Sequence, residues 1–189
     1  GLWRTMPWTA SLFALGAAAI SGLPPFNGFV SEWLVYVGLF EAVTQPGAAL
    51  AGAIPAIVLL AMTGALALAC FVKVCGVVFL GAPRSPAAAH AHECGPWMRG
   101  PMLLLAAGCV AIGLVPIAFW PVVKAAVVSW RGTWLEVPAP ESLGTLGLAH
   151  LLLAGAACVG APWLWRRAHR HGWARAGTWD CGYAAPTAR

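Results

Sequence analysis

The hydrophobic residues of this chain are gathered into long stretches that are separated by shorter polar segments. Four such stretches occur, at residues 7–40, 51–80, 102–128 and 146–165. Because about 20 helical residues cross the core of a bilayer, each of the last three is long enough to form one transmembrane helix. The segments between them carry proline, glycine and charged residues and are predicted to be loops. The pattern therefore predicts an all-α integral membrane protein, a bundle of about four transmembrane helices.

The first stretch is interrupted near its middle, where residues 21–34 read SGLPPFNGFVSEWL. Pro24 and Pro25 lack a backbone N–H, and each disfavours helix in the residue before it. The first half-helix is therefore expected to end near Gly22 and to leave carbonyl groups unpaired. Such backbone is tolerated at membrane depth only where it is buried in protein or lines a wet cavity.

The second half-helix is predicted to start at Asn27 or Gly28, and Asn27 is suited to be its N-cap. Glu32 then falls about one helical turn inside that start. Burial favours the neutral acid and the positive end of the half-helix favours the carboxylate, so a neighbouring charge can switch the group, as a proton relay requires. The alternative is an ordinary turn between helices, with Glu32 at the membrane surface beside lipid headgroups.

The distribution of basic residues bears on whether the first stretch is one broken span or two short spans. With one broken span, the N-terminus, the loop 81–100 and the C-terminal tail lie on the same side. That side holds Arg4, Arg84, Arg99, Arg166, Arg167, Arg170, Arg175 and Arg189. The opposite side holds only Arg131, so the positive-inside rule makes the richer side cytoplasmic. Two spans would move only Arg4 across, so charge favours one discontinuous helix without excluding two.

Lys73 is a second ionisable residue within an apolar stretch, roughly 10 Å from the end of that stretch at Leu80. Its amine can snorkel to the headgroups, or it can be a buried ammonium that passes protons or balances the charge of Glu32. The sequence leaves these two alternatives open. Lys124 lies near the far end of its stretch and is predicted to be a snorkelling anchor.

The composition agrees with a membrane protein, since 60% of the 189 residues are hydrophobic and only 9% are charged. The net charge of +5 is spread over the ends of the apolar stretches, which points to loop charges rather than to nucleic-acid binding. The six cysteines form no CxxC pair, so neither a disulfide framework nor an iron–sulfur site is indicated. The chain opens with Gly1 rather than Met, and it is predicted to be the C-terminal fragment of a larger protein.

Three weaker signals remain. The run HAHEC at 90–94 contains potential zinc ligands, but no second ligand cluster follows it, and a solvated loop is favoured. His150 is predicted to be interfacial, and the basic run 166–177 to be a juxtamembrane topology determinant with contact to anionic lipid. No nucleotide-binding or nucleophile motif is present, so no catalytic residue, metal or cofactor is predicted.

The run MPWTASLFALGAAAISGLPPFNGFVSEWL, at residues 6–34, resembles the broken-helix region of a known membrane family. That family is the antiporter-like subunits of respiratory complex I, Mrp-type cation/proton antiporters and membrane-bound [NiFe]-hydrogenases. The runs CFVKVCGVVFLGAPRSP and AHE and the tail TWDCGYAAPTAR resemble its hydrogenase-4 and formate hydrogenlyase branch more narrowly. The resemblance implies that residues 1–128 end the proton-translocating domain and that 129–189 add a C-terminal helix and a basic cytoplasmic tail.

The resemblance also implies a function and its site. Glu32 occupies the position of the family's ionisable residue at the broken helix, and Lys73, on the following helix, is a less secure relay residue. The implied protein is a proton-translocating subunit in the plasma membrane of a bacterium or archaeon. Its implied partners are lipid, other membrane subunits, soluble hydrogenase and iron–sulfur subunits, and protons or Na⁺. The alternatives are a stand-alone Mrp-type antiporter subunit and a passive anchor for the soluble hydrogenase arm.

Overall fold

The computed structural model describes residues 1–44, 47–83, 85–130 and 138–170, and within these residues the regular elements are helices. The α-helices are α1 (Pro7–Ile20), α2 (Asn27–Val43), α3 (Ala48–Cys75), α4 (Pro86–Ala89), α5 (Pro96–Leu114), α6 (Pro116–Trp130) and α7 (Glu141–Arg170). A 3₁₀ turn at Leu2–Arg4 precedes α1, and α3 continues as a π-helical turn over Gly76–Leu80. Predictions that concern Arg84, Arg131 and the tail 171–189 lie outside the described residues.

The helices are apolar on all sides, as expected of membrane segments. By length and composition, three stretches of the described residues can cross a membrane, namely Ala49–Leu80, Pro96–Leu114 and Glu141–Arg170. Helices α1 and α6 are shorter but also apolar. Large side chains such as Leu66 and Leu104 are 68% and 74% exposed, and lipid or neighbouring membrane segments would cover them. The prediction of an all-α integral membrane protein is confirmed.

Helices α1 and α2 follow each other end to end along α3, which runs in the opposite direction. Near the start of this pair, the ring of Phe13 lies 5.2 Å from that of Phe79, measured between centroids. Further along, the carboxylate of Glu32 in α2 lies beside Gly64, near the middle of α3. Later residues of the α1–α2 pair thus contact earlier residues of the stretch formed by α3 and its π-helical turn. This arrangement is the one expected of a discontinuous helix rather than of a hairpin of two spans.

The third predicted span, 102–128, differs from the structure in its start and in its continuity. Helix α5 already begins at Pro96 and ends at Leu114, and α6 begins at Pro116. Val115 between them has φ −131° and ψ 60°, outside the helical region, because the residue before a proline is driven out of that conformation. Pro116 lies inside the predicted span, where a proline kinks or shortens a helix, and the structure has a complete interruption there.

Glu93 fixes the start of α1 against the loop that precedes α5. Its carboxylate accepts hydrogen bonds from the backbone N–H groups of Trp8, at 2.8 Å, and Thr9, at 3.4 Å. The Thr9 hydroxyl donates to the same carboxylate at 2.5 Å. Glu93 therefore caps the unpaired N–H groups in the first turn of α1 from 84 residues away in sequence. The HAHEC run is a loop with a structural contact, and no three possible metal ligands come together within the described residues.

Candidate functional site at the helix break

The first half-helix ends in a hydrogen-bonded turn that the sequence did not predict. Gly22 has φ +64°, and its N–H donates to Ala19 O at 3.2 Å, while Leu23 N–H donates to Ala18 O at 3.1 Å. These two bonds and the left-handed glycine form a Schellman motif, which pairs carbonyl groups at the end of a helix. The expectation that these carbonyls are unpaired is therefore wrong for Ala18 and Ala19. The next residues, Pro24 and Pro25, are joined by a cis peptide bond.

The second half-helix begins at Asn27, as predicted, but its N-cap is a different residue. Phe26 N–H donates to Leu23 O at 3.2 Å, and Phe26 takes the extended cap conformation with φ −92° and ψ 166°. Because this turn already ends at Phe26, Asn27 is the first helical residue and makes no capping bond. The prediction of Asn27 as the N-cap is wrong, and its Oδ1 is buried without a hydrogen-bond partner.

Gly28 allows the two half-helices to approach closely. A Cβ at this position would overlap the carbonyl oxygen of Ala19, so the Cα of Gly28 packs directly on the last turn of α1. The first turn of α2 is thus held beside the end of α1, and the gap between the two halves is confined to residues 21–26.

Glu32 lies at this break, level with the middle of a helix that is long and apolar enough to cross a membrane. A Cβ added at Gly22 would lie 2.5 Å from Glu32 Oε2 and 2.8 Å from Oε1, so the carboxylate rests on the Cα of Gly22. On its other side, a Cβ added at Gly64 would lie 3.9 Å from Oε2. Gly64 is at the middle of the apolar stretch Ala49–Leu80. Glu32 is partly buried.

Lys73 is not brought together with Glu32. It is exposed on α3, nine residues beyond Gly64, which separates the two levels by about 13 Å along the helix axis. No hydrogen bond or ion pair between Lys73 and Glu32 occurs among the described residues. Lys73 can therefore act on Glu32 only through space or through intervening groups.

His150 is a site residue that the sequence analysis missed. It was predicted to be interfacial, yet only 3% of its surface is exposed. Its Nδ1 lies 2.7 Å from the carbonyl oxygen of Gly113, and its ring meets that of Phe29 edge-on, with centroids 5.3 Å apart. A Cβ added at Gly113 would overlap the carbonyl oxygen of Pro25, so His150 lies directly behind the break. The only signal in the sequence was a histidine near an apolar stretch, and α7 starts earlier than predicted, at Glu141.

Several buried polar atoms in this region have no hydrogen-bond partner. They are Ser21 Oγ at the end of α1, Asn27 Oδ1 at the start of α2 and His150 Nε2 behind the break. Of the atoms of this kind in the described residues, only Arg99 Nε lies elsewhere, near the start of α5. Buried polar groups in proteins are ordinarily paired with protein or with ordered water. Three of these four atoms are thus grouped around the break.

Comparison with known proteins places this geometry in a family. The family described as NADH:quinone oxidoreductase/Mrp antiporter, transmembrane, matches residues 1–58, a range that includes the break and Glu32. Hydrogenase-4 component B of Escherichia coli is 42% identical over 197 residues, which cover 95% of this chain and 29% of that protein. The chain belongs to the antiporter-like membrane subunits.

Two further members are also similar to this antiporter-like chain. Formate hydrogenlyase subunit 3 of Escherichia coli is 39% identical over 131 residues, covering 67% of this chain and 21% of that protein. NADH-quinone oxidoreductase subunit N of an Anaeromyxobacter species is 33% identical over 126 residues, covering 66% of this chain and 23% of that protein. The chain thus spans less than a third of the length of these relatives. By their names, they are components or subunits of multi-subunit proteins.

Proposed function

We propose that this chain is part of a proton-translocating membrane subunit of a [NiFe]-hydrogenase or NADH dehydrogenase-like complex, and that Glu32 exchanges protons at the helix break. The observation that carries the proposal is the position of the Glu32 carboxylate, on the Cα of Gly22 and level with Gly64 in the middle of an apolar stretch. An acid at this depth is costly to keep and is a functional residue by default.

The local structure supports proton exchange at Glu32. The carboxylate lies beside backbone that has left the helix, and the unpartnered Ser21 Oγ and Asn27 Oδ1 line the same gap. Water bound there can deliver a proton to Glu32 and accept it again, while the apolar faces of α2 and α3 keep bulk solvent away. Glu32 then carries protons through the level at which the helix is interrupted.

Lys73 acts on this exchange electrostatically. At about 13 Å and an effective dielectric constant of about 20, an ammonium attracts a carboxylate by on the order of 1 kcal/mol. An energy of this size biases the protonation of Glu32 without fixing it. A change in the position or charge of Lys73 would shift the protonation equilibrium of Glu32. Lys73 thus modulates proton exchange at Glu32 and does not carry the proton itself.

The setting of the protein follows from the same proposal. The subunit lies in the plasma membrane of a bacterium or archaeon, with the basic end of α7 on the cytoplasmic side, because Arg166, Arg167 and Arg170 cluster there. Redox chemistry belongs to soluble hydrogenase and iron–sulfur partner subunits. The relatives named as hydrogenase-4, formate hydrogenlyase and NADH-quinone oxidoreductase components support such partners.

The test is the Glu32→Gln variant of the full-length subunit in its complex, assayed for proton uptake into inverted membrane vesicles during turnover. Gln keeps the size of the side chain and removes its exchangeable acid, so we expect proton uptake to fall at least about tenfold in fully assembled complex. Glu41→Gln, at the exposed far end of α2, is the matched control and should behave as wild type. Unchanged uptake and turnover in Glu32→Gln would establish the passive-anchor alternative instead.

Co-purification separates the proposal from a stand-alone antiporter. An affinity tag on the full-length subunit should bring down a hydrogenase large subunit from gently solubilised membranes. If the tagged subunit is recovered intact with only other antiporter subunits, the assignment to a hydrogenase complex is wrong.

A further inference from the structure

His150 makes one hydrogen bond, and this bond fixes the tautomer of its ring. Its Nδ1 lies 2.7 Å from Gly113 O, and a carbonyl oxygen can only accept, so Nδ1 carries the proton. In the neutral ring, Nε2 is then a free acceptor. That atom is buried without a partner, in a residue that is only 3% exposed. An acceptor in this state is a base whose lone pair is available inside the protein.

The bond to Gly113 exists because a second helix interruption lies at the level of the first. Pro116 has no N–H, and the hydrogen bonds across the α5–α6 junction run from Val115 N–H to Ala111 O and from Ala118 N–H to Val115 O. They do not use Gly113 O, which His150 Nδ1–H pairs instead. Helix α7 approaches closely here because a Cβ at Gly147 would lie only 3.1 Å from the Pro116 ring.

The two interruptions touch, so His150 and Glu32 flank the same break. Gly113 packs on the Pro25 carbonyl and the Phe26 Cα, and the His150 ring contacts Phe29 in the first turn of α2. Phe29 and Glu32 are three residues apart and therefore neighbours on the surface of α2. Glu32 contacts the break from the α3 side and His150 from the α5 and α7 side.

A purely structural role accounts for Nδ1 of His150 but not for Nε2. Capping Gly113 O needs one N–H donor, which an asparagine amide also provides at a similar distance from the backbone. It does not need a second ring nitrogen buried without a partner, which is unfavourable in a purely structural position. The unpartnered Nε2 is the feature that calls for another explanation.

We propose that His150 is a second proton-exchanging residue of the break, a proposal that rests on the proposed function of Glu32. Water in the gap hands a proton released by the Glu32 carboxyl group to the Nε2 lone pair, which forms an imidazolium. The Nδ1–H bond to Gly113 O remains throughout, so the ring does not turn. The imidazolium then returns the proton from Nε2 to water in the gap, and the neutral tautomer is restored.

The test compares His150→Asn with His150→Gln in the full-length subunit within its complex. Asn places its amide N–H near the position of Nδ1 and keeps the bond to Gly113 O, but it cannot be protonated. We expect His150→Asn to assemble normally and to lose proton uptake per turnover at least about tenfold. Gln places its amide nearer the position of Nε2 and so loses the bond to Gly113 O. We therefore expect His150→Gln to impair assembly as well as proton uptake. The matched control is His92→Asn in the exposed loop, which should leave both properties unchanged.

A second variant covers the case in which Asn does not assemble. Site-specific incorporation of β-(pyrrol-2-yl)alanine, in which a C–H group stands in place of Nε2, leaves the Nδ1–H donor in place and removes the proposed proton site, and it should again assemble without proton uptake. If either assembled variant takes up protons as wild type does, His150 only caps Gly113 O and the proposal is overturned.

Parallel assays of Glu32→Gln separate the two proposals. If Glu32→Gln loses uptake and His150→Asn retains it, only the inference about His150 fails. If both variants retain uptake, the proposed function fails as well. Loss in His150→Asn alone would remove Glu32 from the path and overturn the proposed transfer from Glu32 to His150.

Discussion

The carboxylate of Glu32 rests on the Cα of Gly22, in the space that any other residue at position 22 would fill with its Cβ. Gly22 is also the residue whose φ of +64° ends the first half-helix. One glycine therefore both makes the break and leaves room for the acid beside it. This coupling means that the break and the position of the acid cannot be changed independently at Gly22.

Gly22→Ala should accordingly harm both stability and proton uptake. The left-handed backbone costs a residue with a Cβ about 1–2 kcal/mol, and the methyl group displaces the Glu32 carboxylate. We expect a lower Tm of the purified complex and reduced proton uptake in vesicles. Gly64→Ala is the matched variant, because its methyl group would reach only van der Waals distance of Oε2, 3.9 Å away. Equal effects of the two substitutions would contradict the described position of Glu32.

The break could be predicted from the sequence because its causes are local. Pro24 and Pro25 act on the residues before them, and the helical period places Glu32 one turn beyond the new start. The Schellman turn and the Phe26 cap were missed because the conformation of Gly22 and the Leu23–Phe26 turn depend on how the two halves pack.

His150 could not be predicted because its partners are distant in the sequence. Its hydrogen-bond acceptor, Gly113 O, is 37 residues away. That carbonyl needs a donor only because the helix is interrupted before Pro116. A proline within an apolar stretch indicates a kink or a break with equal force, so the sequence left the interruption at Val115 open. The roles of Glu32 and Lys73 in proton transfer remain predictions.

The contact between Gly28 and α1 predicts opposite results for two glycines of the same helix. Gly28→Ala would drive a methyl group into the Ala19 carbonyl, which is backbone and cannot rotate away, so a loss of about 1–3 kcal/mol is expected. Gly38→Ala meets no atom within 4 Å and removes backbone freedom, so a gain of about 0.5–1 kcal/mol is expected. The Tm values of the two purified variants check this, and a stabilised Gly28→Ala would show that the half-helices are not in contact.

Glu93 predicts a dependence of stability on pH. The hydrogen bond from the Thr9 hydroxyl, together with those from the N–H groups of Trp8, Cys94 and Thr9, lowers the pKa of Glu93 below its ordinary value of 4.5. Because the folded carboxylate binds protons more weakly than the unfolded one, its stabilising contribution is present above pH 4.5 and is lost as the pH falls through the folded pKa.

Thermal unfolding of wild type and Glu93→Gln at pH 7 and at pH 3.5 measures this contribution. Gln cannot ionise, so the Tm of Glu93→Gln should fall further below that of wild type at pH 7 than at pH 3.5. Thr9→Val, which removes the strongest hydrogen-bond donor and keeps the shape of the side chain, should reproduce part of the effect. A deficit that is the same at both pH values would mean that the charge of Glu93 does not contribute to the cap.

Lys73 should affect proton uptake less than Glu32 does, because it lies on the order of 13 Å further along α3. An interaction of on the order of 1 kcal/mol corresponds to less than about a tenfold change in rate. Lys73→Gln should therefore slow proton uptake measurably but incompletely, and Lys73→Arg, which keeps the charge, should restore most of it. Lys124→Gln, in α6, serves as the control for loss of a cation from an apolar helix and should leave uptake unchanged. If Lys73→Gln is as severe as Glu32→Gln and Lys73→Arg does not restore uptake, Lys73 carries the proton itself. If Lys73→Gln matches wild type, its amine is a headgroup anchor and Glu32 works without it.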